Sequence, residues 1–158
     1  MNKKLVGFLT AGTIAIGSFG MMQKAFADTT SVEYDVDSTF TVIIPQRVEL
    51  KSDSETTMSI KTIDRNLEPA DVKQVSVTSG LDSDGQIKLE RNGNPSDTLT
   101  STIKANGAAV TLANPVVAEF SGYQIAETEV SEIEFGIPQG TKLAGGYSTT
   151  LVFTVASK

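Results

Sequence analysis

Two aspartates hold the most chemical promise in this chain. Asp82-Ser83-Asp84-Gly85 places two carboxylates two positions apart ahead of a glycine, which matches part of a calcium loop. Calcium takes roughly six to eight oxygens, yet Leu89 and Arg91 stand where the later donors would fall. The same four residues suit a turn, in which aspartate bonds its own backbone and glycine supplies positive φ. The turn is the expected reading, and no residue is assigned to a metal. A carboxylate-only hydrolase would need two carboxyls across a cleft, one with a raised pKa. Glu33, Asp35, Asp37, Asp53, Glu55, Glu127, Glu129, Glu132 and Glu134 fall at turns or on the polar parity of alternating stretches. That placement predicts a solvated acidic surface.

Other chemistries fail on composition. The chain has neither histidine nor cysteine. Ser-His-Asp and Cys-His catalysis lack their base, and disulfides and thiolate metal sites are excluded. No glycine-rich phosphate loop follows a strand and opens a helix. A sugar-binding face would want aromatic platforms, but tryptophan is absent and Tyr123 is the one tyrosine expected in a loop. No catalytic, cofactor-binding or metal residue is therefore assigned, no cofactor is expected, and the chain is not read as an enzyme.

The elements that would position these residues are strands. Thr56–Ile63 points Met58 and Ile60 inward, and Val72–Ser79 does the same with Val75 and Val77. Gln86–Glu90 (Ile87, Leu89), Asp97–Ala105 (Leu99, Ile103) and Val130–Ile137 (Ile133, Phe135, Ile137) continue the pattern. Thr39–Ile44 alternates until Pro45, after which Val48 and Leu50 could resume the strand. Ser31–Asp37 sets Val32, Tyr34 and Val36 against Glu33, Asp35 and Asp37, which predicts another strand, with Tyr34 in the core. Asn92-Gly93 and Asn106-Gly107 are hairpin pairs that tolerate positive φ. Gly146–Val155 reads as a long closing strand inside a sheet, with Tyr147, Leu151, Phe153 and Val155 inward and Thr154 outward; Leu143 before it reads as an isolated anchor. No segment keeps a helical period. About eight or nine short strands predict an antiparallel β-sandwich, Greek-key and immunoglobulin-like.

The 158 residues suit one domain behind a leader. Lys3-Lys4, the apolar run Leu5–Met22 and Ala25-Phe26-Ala27 have the three-part layout of a secretory signal. The cut is expected after Ala27, giving a signal over 1–27 and a single sandwich domain over 28–158. Formal net charge is −6, and loss of Lys3, Lys4 and Lys24 makes the remainder more acidic still. Such a surface repels nucleic acid and anionic lipid heads. No membrane contact is expected after cleavage, and no cysteine is available for a lipid anchor. The C-terminal Ala156-Ser157-Lys158 carries no sorting motif.

Phe40-Thr41-Val42-Ile43-Ile44-Pro45, taken with Ala144–Val155, resembles short secreted β-sandwich proteins of Gram-positive bacteria. The ending is also similar to the last strand of WxL-type cell-wall domains. The tryptophan motif that names that family is missing, so its peptidoglycan binding is not implied. The resemblance implies a cell-envelope setting. The expected function is that of a secreted, non-catalytic cell-surface or extracellular structural or adhesion protein, either released or held at the wall by non-covalent contacts. The alternative is a glycan- or Ca²⁺-binding module using loops such as Leu81–Gly85 and Ser121–Tyr123. Partners are expected among other envelope proteins or polysaccharide. The isolated domain is expected to be monomeric, because Glu33, Asp35 and Asp37 would repel a copy of themselves.

Overall fold

Period-two alternation decides which side of each strand meets the core, and the computed structural model, which describes residues 31–158, shows that alternation in use. The signal-sequence reading of residues 1–27 lies outside the described residues. Asp35–Lys158 forms one compact unit. Its strands in chain order are β1 Thr39–Ile43, β2 Thr56–Asn66, β3 Val72–Ser79, β4 Gln86–Arg91, β5 Asn94–Ala105 and β6 Ala108–Ala109. They continue as β7 Val116–Ser121, β8 Tyr123–Gln124, β9 Thr128–Phe135, β10 Tyr147–Ser148 and β11 Val152–Ser157. Three of these (β6, β8 and β10) are two residues long, so the longer strands match the sequence-based count.

The strands form two antiparallel sheets. The wide sheet runs β1-β2-β9-β5-β4-β10, with β6 also on β5 and β8 on β2; the narrow one runs β11-β3-β7. The chain changes sheets at β2–β3, β3–β4, β6–β7, β7–β8 and β10–β11, the crossing links of a Greek-key sandwich. β5 joins the two halves of the wide sheet. Along Thr98–Thr102 it pairs with β4, and along Ile103–Ala105 with β9. Beyond that ladder, Gly136 and Gln139 carry on along the same edge, through Gly136 N–H to Thr102 O and a Thr100–Gln139 bridge.

The predicted inward sets are the buried ones. Met58 and Ile60, Val75 and Val77, Ile103, and Ile133 with Phe135 belong to one continuous core. Burying such side chains is worth about 1.5–3 kcal/mol each. Phe40 of β1 meets Phe120 of β7 edge-to-face at 5.5 Å between centroids, which ties the two sheets at one end.

Three expectations need correction. Ser31–Ser38 forms no strand, and Val32 and Tyr34 are 90% and 88% exposed, so Tyr34 is not core. Alternation supplies two faces, but a strand also needs a neighbour to complete its hydrogen bonds. Gly146–Val155 is not one strand. Tyr147–Ser148 pairs with β4 in the wide sheet, while Val152 onward pairs with β3 in the narrow one. Thr149–Leu151 makes the crossing between sheets that lie about 10 Å apart. β11 therefore stands at an edge instead of inside a sheet. Its parity is as predicted, with Thr154 exposed and Phe153 and Val155 inward, but the inward pair is only half-buried. Leu143, finally, is 43% exposed. Its backbone is held by the Tyr147 hydroxyl, which accepts from Leu143 N–H and donates to Leu143 O.

Candidate functional site: an apolar groove beside an open strand edge

Six strands cannot be covered by three. At about 4.8 Å per strand the narrow sheet falls short of the wide one by some 15 Å. A groove of about 880 Å³ lies over the wide sheet and reaches β11 at Phe153. Its floor is the inward face of the wide sheet: Met58 of β2, Ile87 and Leu89 of β4, Leu99 of β5 and Phe135 of β9. Leu89 and Leu99 are directly paired across the β4–β5 ladder. Both are buried, yet neither belongs to the continuous core. They form an apolar patch of their own.

The two walls are extended backbone. On one side lies Pro45–Ser52, which belongs to no strand. Pro45 lacks an N–H and ends β1. The predicted resumption of the strand at Val48 and Leu50 does not occur, although both side chains turn inward and are half-buried against the core. Lys51 N–H donates to Thr56 Oγ1 at 3.0 Å, closing the segment onto β2. The other wall is Gly145–Leu151 with Phe153. It is pressed against the end of β3 because residue 80 is glycine. Gly80 sits at φ +100°, and a Cβ there would meet the Thr150 carbonyl oxygen and come within 2.8 Å of Leu151 Cδ2. Among the described residues β11 pairs on one edge alone, so its other edge presents unpaired backbone groups.

The rim is cationic on an acidic chain. Arg47, Lys51 and Lys142 stand at the groove with a single carboxylate, Glu49. Arg47 reaches Glu49 at 2.8 Å, and Lys142 Nζ donates to Ser52 O at 3.3 Å.

Residues singled out from the sequence fall elsewhere. Asp82 is used by its own turn: Oδ1 accepts from Asp84 N–H at 3.0 Å and from Gln86 N–H at 2.8 Å, and Gly85 takes φ +75°. Among the described residues no group of three or more acidic side chains is placed to hold a metal ion. Three of these acids, Glu127 before β9, Glu134 on β9 and Glu55 before β2, pair with lysines. Lys61 contacts Glu127 at 2.7 Å, and Lys104 lies 3.5 Å from both Glu55 and Glu134. The hydrogen bond and charge of Glu127 raise the Lys61 pKa. Glu119 of β7 is held below the usual glutamate value, first by the Gln74 side-chain amide and then by Lys158. Tyr123 is exposed on β8, where it pairs with Asn66.

Sequence reasoning found the groove's residues but took them for ordinary core. The run Arg47-Val48-Glu49-Leu50-Lys51 alternates like a strand and is followed by the turn residues Ser52–Glu55, so nothing in it signals that it stays unpaired.

No family model matches the chain. No curated protein matches it either. Among solved structures it is similar to a chain from a chaperone–tip adhesin complex in CFA/I fimbriae biogenesis, with TM-score 0.47 and 16% identity. The alignment covers 75% of this chain and 41% of that one, so this chain spans less than half of its length. No helix among the described residues is long and apolar enough to cross a membrane.

Proposed function

We propose that this chain is an exported, non-catalytic structural or adhesion protein of the Gram-positive cell envelope, and that it acts by holding an extended polypeptide segment in the groove. One observation carries the reading: an apolar floor meets, at Phe153, a strand whose outer edge has no neighbour among the described residues. An unpaired edge supplies a row of main-chain donors and acceptors, and the floor supplies pockets for alternate side chains. This is the chemistry of strand addition, and it needs no titrating group. Export is supported by the leader pattern in residues 1–27, and the envelope setting by the resemblance of residues 40–45 and 144–155. The calcium reading finds no comparable support, since Asp82 already serves its own turn.

The test is fractionation of the producing cells, with the native protein compared with Leu143→Glu, a charge placed on half-exposed Leu143, which also lines the groove. The expected result is a chain that begins at Asp28 and is retained at the wall, with the variant released to the medium at least tenfold more. A cytosolic protein, or equal retention of the variant, would overturn the proposal.

A further inference from the structure

We propose that the groove's occupant is the Val32–Asp37 arm of a second copy of this chain, inserted as a strand along the open edge of β11. The inference rests on the groove reading above and names its partner. Three features of the arm fit. Val32, Tyr34 and Val36 alternate at strand spacing and are all exposed. At about 3.3 Å per residue those five positions span roughly 13–16 Å, within reach of the six-residue β11. With the apolar face turned down onto Met58, Leu89 and Leu99, the other face must point outward at the mouth of the groove.

That outward face is Glu33, Asp35 and Asp37, and the mouth is where Arg47, Lys51 and Lys142 stand. Acids that would repel when the arm stacks on its own copy, the ground for expecting a monomer, meet cations in the groove, so assembly at low salt replaces that expectation. The two modes of association therefore respond oppositely to salt: stacking of arm on arm strengthens as salt screens the acids, whereas insertion weakens. The contact is also heterologous. Arm and groove are different surfaces, so each copy can both donate and accept, and successive insertions make a chain of molecules unless the rotation closes a ring.

Because the protein has no cysteine, a pair of single-cysteine variants gives a clean test. Tyr34→Cys and Leu143→Cys, each prepared as the exported chain and then mixed under mild oxidation, should give a mixed disulfide dimer in at least tenfold excess over either homodimer. Arg47→Glu should weaken association by about tenfold, and Glu33→Lys combined with Arg47→Glu should restore it. Sedimentation of the native protein should show assembly at low salt that declines as salt is added. Homodimers of Tyr34→Cys alone, or assembly that grows with salt, would show arm stacking and overturn the proposal. A double Tyr34→Cys/Leu143→Cys variant that closes within one molecule would overturn it as well, in favour of the chain's own arm. If Tyr34→Asp abolishes assembly in solution but leaves wall retention intact, a different polypeptide fills the groove. In that case the second-copy proposal fails while the groove reading stands.

Discussion

The sandwich has a closed side and an open one, and both are built from the same kind of strand. On the closed side Ile60 of β2 and Ile133 of β9 are fully buried, as are Val75 of β3 and Val117 of β7. On the open side β11 carries Phe153 and Val155 with the same inward parity, yet both stay half-buried. The difference lies in packing and not in composition: β7, like β11, pairs on one edge alone, yet its Val117 is buried. β2, β9 and β3 each have a strand on both edges and a sheet above, whereas β11 has β3 on one side and a groove on the other. Parity tells a side chain which way to point, and what packs against the inward face decides whether it is covered.

Substitutions can sharpen that contrast. Ile60→Ala on the closed side should have the largest effect, about 3–4 kcal/mol in a urea titration, because the cavity is enclosed on every side. Phe153→Ala on the open side should cost only about 1–2 kcal/mol, well below the 3–5 kcal/mol of a buried phenylalanine, with Thr154→Ala beside it within about 0.5 kcal/mol. Equal losses for Ile60→Ala and Phe153→Ala would mean that β11 is covered after all. The smallest effect belongs to the outer face. Glu119 has a lowered pKa, so its contribution is present above the ordinary glutamate value of 4.5 and is lost as pH falls through the lowered one. Glu119→Gln should therefore lower the melting temperature by about 1–2 °C at neutral pH, and the difference should vanish in acid. A gap that persisted there would point to a packing role for Glu119.

Much of the fold was legible because each strand reports its own facing. Met58 and Ile60, Ile87 and Leu89, and Ile133 and Phe135 were all placed inward from alternation alone, and Asn92-Gly93 marked the β4–β5 turn. The misreadings share one cause: pairing is not local. Val32–Val36 alternates as cleanly as β2 does, yet forms no strand. Tyr147 through Val155 keeps one parity throughout while the chain leaves one sheet for the other. The groove was illegible for the same reason, since it arises from the mismatch between a six-strand path and a three-strand one. No single stretch records that mismatch. The Asp82 turn, by contrast, was readable, because every hydrogen bond that defines it lies within five residues.

The placement of β11 also bears on the order of folding. β4, β5 and β6 follow one another through two tight hairpins, so their ladders close short loops at small entropic cost. β11 must find β3 across most of the domain: Ser157 lies 84 residues from the Lys73 it contacts. Closure entropy and contact order put such a ladder among the last to form. The β4–β5–β6 hairpins of the wide sheet thus form before the strand that bounds the groove has docked. During that interval the apolar floor is at its most open, and a segment arriving from outside competes with β11 itself for the same edge of β3.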